Sequence, residues 1–262
     1  MRFTFCPNLI FDVGMNDGKD AAYYLYRGFD VVAVEANPAL CAIATERFSE
    51  AVGLGRLHIE NVAVGMDRGK LPFYVSSKDI WSSFDYSAAT KEDSTCTTIE
   101  VTCARAADLF AKYGVPYYLK IDIEGADGYC LDDLDADCLP KYVSFECGPE
   151  APEEVQRLSS LGFKRFKLIN QLWQEFRSDY EPESTLRQMR RRLQRKTRNV
   201  LRGRWYNDWL FEFGSSGPFG ERTDGRWVSV HELLEIRARW QELSVRNCAS
   251  NHSFWFDVHA SR

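Results

Sequence analysis

The sequence predicts an α/β fold: a doubly wound, mostly parallel sheet with helices on both faces. Three observations predict it. Short β-rich runs alternate with helical patterns from the start to about residue 170. The first run ends in a glycine turn and the second in a carboxylate, as where such sheets place ligands. Hydrophobic residues at 45% and aromatics at 14% of 262 residues are enough to bury a core for one large domain, or one domain with an appended lobe.

Taken in order, the core strands are expected at Leu9–Val13, Val31–Glu35, Leu57–Ala63, Tyr117–Asp122, Tyr142–Glu146 and Lys164–Ile169. Gly28 closes the helix after the first strand. Asn37 caps the next helix, with Pro38 at its first position. Ala151-Pro152-Glu153-Glu154 opens another helix, with acidic residues in its first turn. Two more β-like runs, Leu71–Val75 and Thr98–Cys103, flank the tract Trp81-Ser82-Ser83-Phe84. After Ile169 the pattern changes. An arginine-rich segment covers residues 187–204, then come "WLFEFGSSGPFGE" and an amphipathic helix over Val230–Leu243. The expected division is therefore a core at 1–175 and a C-terminal extension at 176–262, supplying a basic lid segment, a late strand and a terminal helix.

Several classes are disfavoured. A net charge of −5 argues against a protein built to coat nucleic acid. No apolar run approaches the ~18 residues of a membrane span. The start lacks the pattern of a secretory signal, and the eight cysteines show neither zinc-site nor disulfide-framework spacing. A cytoplasmic protein with reduced thiols is expected.

The turn "IFDVGMNDGKD" has the shape of a nucleotide cradle, but Asn16 and Lys19 occupy positions where a dinucleotide fingerprint needs glycine. A ligand without phosphates does not need those glycines, and Asn16 could bond an amino-acid-like carboxylate or amine. Glu35, about 20 residues past Gly14, stands where a carboxylate accepts both ribose hydroxyls. A ribose clamp without a pyrophosphate cradle suits a nucleoside with a zwitterionic tail, and S-adenosylmethionine fits. The competing reading is that Asp12 and Glu35 are merely strand-end carboxylates satisfied by backbone amides.

The segments "FDVGMNDGKDAAYYL…VVAVEANP", "NVAVG", "YYLKIDIEGAD" and "YVSFECGP" resemble, in order and spacing, the motifs of the FkbM family of S-adenosylmethionine-dependent methyltransferases over roughly residues 8–170. The resemblance implies a class I (Rossmann-like) methyltransferase fold with a sheet of about seven strands, and methyl transfer to oxygen. By position it implies that Asp12, Gly14, Asn16 and Gly18 form the methionine-side loop, that Glu35 with the adjoining Asn37 serves the ribose, and that Asn61 to Ala63 lie near adenine. Many such enzymes carry helices before the first strand that help cover the cofactor, whereas here that strand is expected within ten residues of Met1. The arginine-rich segment or the "GSSGPFGE" loop is left to form a lid.

At the fourth strand, alternation puts Lys120 and Asp122 on one side, with Glu124 just beyond. Glu146 ends the next strand and would face the same crevice. Asp122 is the first choice for orienting or deprotonating an acceptor hydroxyl, with Lys120 easing negative charge nearby. Trp81, Ser82, Ser83 and Glu146 are the candidate acceptor contacts. Two rival readings stay open: Asp122, Glu124 and Glu146 as ligands of a hard divalent cation, or Lys120 paired with Glu146 and Asp122 capping the next helix. No histidine sits in the motifs. The sequence thus points to a small-molecule, sugar or glycan hydroxyl as acceptor. Alternatives are an RNA or other anionic polymer held by the arginine run, and a non-catalytic module that only binds the methyl donor. Oligomeric state stays open.

Overall fold

The computed structural model describes residues 3–76, 86–90, 95–123, 125–171, 175–176, 203–246 and 255–262. Its centre is a sheet built from β1 (Phe5–Val13), β2 (Asp30–Val34), β3 (Leu57–Glu60), β7 (Val115–Ile121), β8 (Tyr142–Glu146), β9 (Arg165–Asn170) and β13 (Phe256–Ser261), with the two-residue β10 (Glu175–Phe176) at one edge. The spatial order is β10-β9-β13-β8-β7-β1-β2-β3. Strands β3, β2, β1, β7 and β8 pair in parallel. Order reverses between β1 and β7, so the crevice at their carboxyl ends is the switch point where such sheets hold ligands.

A second sheet joins β4 (Ala63–Val64), β5 (Gly69–Ser76) and β6 (Cys96–Ala104) around Phe73 and Val101. The strand expected at Leu57–Ala63 is therefore two strands in two sheets. The break is fastened by Asn61, whose side-chain amide donates to the carbonyls of Glu35 at 2.9 Å and Ala36 at 3.0 Å.

Both faces of the central sheet are covered. One carries α5 (Ala106–Tyr113), α6 (Asp127–Asp132), α7 (Ala151–Ser160) and α8 (Val230–Arg246) over a wholly apolar layer including Phe11, Leu119, Val143, Phe145, Phe166 and Val258. The other carries α1 (Lys19–Tyr26) and α2 (Pro38–Arg47), with α3 (Ser49–Gly53) beside them, over Ile10, Tyr118 and Tyr142. A short helix, α4 (Tyr86–Ala89), adjoins β5. Helix α2 begins as expected, with Asn37 Oδ1 accepting the Ala39 amide at 3.0 Å and Pro38 in the first turn.

"WLFEF" does not join the central sheet. Strands β11 (Gly203–Tyr206) and β12 (Trp209–Glu212) form a separate hairpin, and Phe211 packs edge-on against Tyr23 of α1 at 4.6 Å between ring centres. The strand that does join is β13, antiparallel to both β8 and β9. The 175/176 boundary thus coincides with no break in the sheet. The helix expected to be terminal, α8, is followed by a strand that lies inside it.

Candidate functional site

The turn after β1 is fixed by its own backbone. Gly14 and Met15 amides donate to the Val34 carbonyl at 2.9 and 3.0 Å, tying the loop to β2. Gly14 has φ +83°, and a Cβ there would lie 1.8 Å from the Asp122 carbonyl oxygen. Only glycine allows the β1 and β7 ends to approach so closely. Asn16 also adopts a left-handed conformation, φ +53°, which asparagine tolerates better than most side chains. This aims its amide at Glu35 Oε2, 2.9 Å away, while the Asn37 amide reaches Oε1 at 2.8 Å.

Glu35 is buried, and burial raises its pKa against the opposing pull of these amides. Each carboxylate oxygen accepts one backbone N–H and has lone-pair capacity for another donor. Glu35 is thus a carboxylate fixed by two backbone amides, one on each oxygen, with acceptor capacity left on both. Asn37 serves through its backbone, since its side chain caps α2. Asn61 is committed through its amide nitrogen to the end of β2, and Ala63 is buried in the second sheet.

Beneath the turn lies an ion cluster. The Lys120 ammonium is 3.0 Å from Asp12, 3.3 Å from Asp20 and 3.5 Å from Asp122, and donates to the Gly14 carbonyl at 3.2 Å. Lys120, Asp12 and Asp20 are buried, whereas the Asp122 side chain is 46% exposed. Burial pushes the Asp12 carboxyl up to about 7 despite Lys120, and the carboxylates hold Lys120 firmly charged. Asp20 also accepts the Ser216 amide on both oxygens at 3.1 Å, which docks the "GSSGPFGE" loop beside the cluster. The rival pairing of Lys120 with Glu146 is corrected: its partners are the three aspartates. Asp127, not Asp122, satisfies the backbone here, accepting from the Ile123 amide at 3.0 Å and the Glu146 amide at 2.8 Å.

Strand register extends this cluster across the sheet. Asp12 lies beside Lys120, Lys120 beside Ser144, Ser144 beside His259, and His259 beside Lys167. All five are buried. Two residues further along β7 and β8, and two back along the antiparallel β13, the next row on the same face is Asp122, Glu146 and Asp257. Asp257 accepts a hydrogen bond from the Gln171 side-chain amide. The structure thus brings together Asp12, Gly14, Asn16, Glu35, Lys120, Asp122 and Glu146, and adds Asp20 and Asp257, which the sequence reading missed. Gly18 caps α1 at φ +78°. Glu124, Trp81, Ser82, Ser83 and residues 187–202 lie outside the described residues. Among the described residues, no three histidine, cysteine, aspartate or glutamate side chains are placed to hold a metal ion.

Residues 12–196 match the family model of the methyltransferase FkbM domain, a span covering the glycine turn, Glu35 and the end of β7. The chain belongs to the FkbM methyltransferase family. The seven-strand, mostly parallel core of its central sheet is the class I, Rossmann-like methyltransferase fold, and S-adenosylmethionine is the cofactor of this FkbM domain. No curated protein is significantly similar to the chain. Among solved structures, Haemonchus contortus phosphoethanolamine N-methyltransferase 2 in complex with S-adenosyl-L-methionine aligns with 100% of this chain at 11% identity and a TM-score of 0.35. The chain spans 49% of that protein's length.

The residues present fit this cofactor. Glu35 has hydrogen-bonding capacity left for a diol, and the buried cation beneath the turn, Lys120 of β7, is already surrounded by aspartates. Lys19 is held by Asp17 at 2.7 Å. A diphosphate would meet an excess of carboxylates here, whereas a sulfonium and an ammonium are attracted to them.

Proposed function

We propose that this FkbM domain methylates a hydroxyl of a small molecule, a sugar or glycan or another secondary metabolite, with S-adenosylmethionine as donor. The observation that carries the reading is the pairing of a pre-oriented, incompletely used Glu35 with a carboxylate-rich turn beside it. In this reading Asp12, Gly14, Asn16 and Gly18 shape the methionine side, Glu35 takes the ribose hydroxyls with Asn37 holding it, and Asn61 to Ala63 border the adenine. The bound donor supplies an electrophilic methyl on positively charged sulfur. The chain's task is to align an acceptor oxygen with that methyl and to receive its proton. Asp122, half-exposed at the end of β7, orients the acceptor, with the Lys120 ammonium 3.5 Å from its carboxylate. Glu124 and the Trp81-Ser82-Ser83 tract complete the acceptor side.

The acidic row Asp122–Glu146–Asp257 supports a neutral acceptor over RNA or another anionic polymer. Seven described cysteines are unpaired, which supports a reducing, cytoplasmic setting. Among the described residues no helix is long and apolar enough to cross a membrane.

Calorimetry tests the donor half. S-adenosylhomocysteine is expected to bind and NAD not to, and Glu35→Ala should weaken binding by about 1–3 kcal/mol through lost charge-assisted hydrogen bonds. An unchanged affinity in that variant removes the ribose assignment. Methyl transfer to a panel of methyl glycosides and phenols tests the acceptor half. Donor binding without turnover on any hydroxyl would leave the non-catalytic binding module as the better description.

A further inference from the structure

We propose that Asp257, on the strand inserted last into the sheet, takes the proton from the acceptor hydroxyl, leaving Asp122 as an orienting group. This rests on the hydroxyl-methylating reading above. Strand β13 runs antiparallel between β8 and β9, so its first residues, not its last, reach the carboxyl edge where the crevice lies. Register sets Asp257 directly beside Glu146, and the alternation of β7 and β8 sets Asp122 on the far side of Glu146 in the same row.

The two aspartates at the ends of this row have different chemistry. Asp122 has the Lys120 ammonium 3.5 Å away, and its side chain is 46% exposed. Asp257 makes no ion pair among the described residues, and its partner is the neutral Gln171 amide at Oδ2. Among the described residues Oδ1 takes no hydrogen bond. A carboxylate gripped at one oxygen, with the other left to the crevice, has the base-and-orienter geometry of proton transfer.

The groups acting on Asp257 agree. Asp122 from β7, Glu146 from β8 and Asp127 from α6 repel a negative charge there, and burial adds to them, so its carboxyl is pushed well above the ordinary aspartate range. Lys120 pulls the other way, but Asp12 and Asp20 lie nearer to that ammonium than Asp122 does. Tyr118 and Cys147 also feel its charge and are themselves held neutral. In the reaction the bond from acceptor oxygen to methyl forms as the sulfur–carbon bond breaks, with that electron pair remaining on sulfur. The hydroxyl proton moves to Asp257 Oδ1 and then to solvent.

Asp257→Asn keeps the shape of the side chain and tests the assignment in three readouts: S-adenosylhomocysteine affinity, methyl transfer to methyl α-D-mannopyranoside and methyl α-L-rhamnopyranoside, and the pH profile of that transfer. The expected result is affinity within about threefold of wild type, transfer reduced about 100-fold or more, loss of the acid limb of the profile, and partial recovery in Asp257→Glu. Wild-type transfer with an unchanged acid limb in Asp257→Asn overturns the proposal. A wild type that binds the nucleoside but methylates neither probe counts against the functional reading instead. Carbon-13 NMR titration of aspartate carboxyls in the nucleoside-bound protein then decides. A resonance titrating above the usual range and absent from Asp257→Asn supports the assignment, and ordinary titration of Asp257 overturns it.

Discussion

The two faces of the central sheet are built to different rules. Under α5, α6, α7 and α8 the strands present Leu119, Ile121, Val143, Phe145, Leu168 and Val258, an unbroken apolar layer. Under α1 and the "GSSGPFGE" loop, the same strands present Lys120, Ser144, His259 and Lys167, all buried. Three of the four are tied inside the protein: Lys120 among aspartates, Ser144 to the Tyr118 hydroxyl at 2.6 Å, and Lys167 to the Thr223 carbonyl and hydroxyl at 2.9 Å. Both faces bury apolar side chains, but only the second also holds charge close to the crevice. Replacing a buried ion pair by packed apolar residues is often neutral or stabilising, so the charge on the second face is weak evidence for stability.

The comparison breaks most readily at Lys120. Lys120→Met leaves Asp12 and Asp20 buried without their cation and should destabilise by about 3–5 kcal/mol. Phe145→Ala, on the apolar face, should cost a similar ~3–5 kcal/mol through a cavity. Their pH dependence separates them. Asp12 already has a folded pKa raised from 3.8 to about 7, so its contribution worsens as pH rises through that window. Without Lys120 the window extends further upward. The Lys120→Met penalty should therefore shrink in acid and grow toward alkaline pH, while the Phe145→Ala penalty stays flat. Parallel urea unfolding curves across pH for the two variants would show that the ion cluster does not hold the polar face together.

The same contrast explains how much was legible in the sequence. Runs such as Leu9–Val13 and Tyr142–Glu146 are recognisable because their apolar residues are contiguous or strictly alternating, and the glycine turn and Glu35 stand at their ends. Local signals also place the α2 cap at Asn37. Pairing partners are another matter. "FDVHAS" carries nothing local to say that it inserts between β8 and β9, so neither Asp257 nor His259 is singled out by the sequence. Asp20 likewise looks like an ordinary first-turn acid until its carboxylate is found on the Ser216 amide. Asn61 ends one strand and starts another by reaching across to β2, a tertiary contact that period-two alternation cannot reveal.

His259 sharpens the comparison at intermediate size. Its ring lies in the polar row, yet its Nε2 is buried without a hydrogen-bond partner among the described residues, and burial with Lys167 nearby lowers its pKa to about 3. The unfolded chain takes up a proton near 6.5 and the folded one does not, so His259 withdraws stability as pH falls from about 6.5 toward 3. The slope should be about 1.4 kcal/mol per pH unit. His259→Leu removes that term and makes the row resemble the opposite face. Urea unfolding at three pH values in this interval should show a shallower acid loss in the variant. Equal slopes would mean that the ring is protonated in the folded protein.

The smallest contrast lies at the helix caps. Helix α5, on the apolar side, is held at its start by a distant group: Asp133 accepts the Ala107 amide at 3.1 Å and pairs with Arg105. Helix α2, on the other side, is capped by its own Asn37, whose backbone amide also grips Glu35. Asn37→Ala removes the side-chain cap but leaves that amide in place. It should cost about 1 kcal/mol of stability and leave S-adenosylhomocysteine affinity within about threefold, well short of the loss expected for Glu35→Ala. A stability loss without an affinity loss assigns the Asn37 side chain to the helix and its backbone to the site. An affinity loss as large as that of Glu35→Ala would instead place the side chain against the nucleoside, and the carboxylate would no longer be the principal ribose contact.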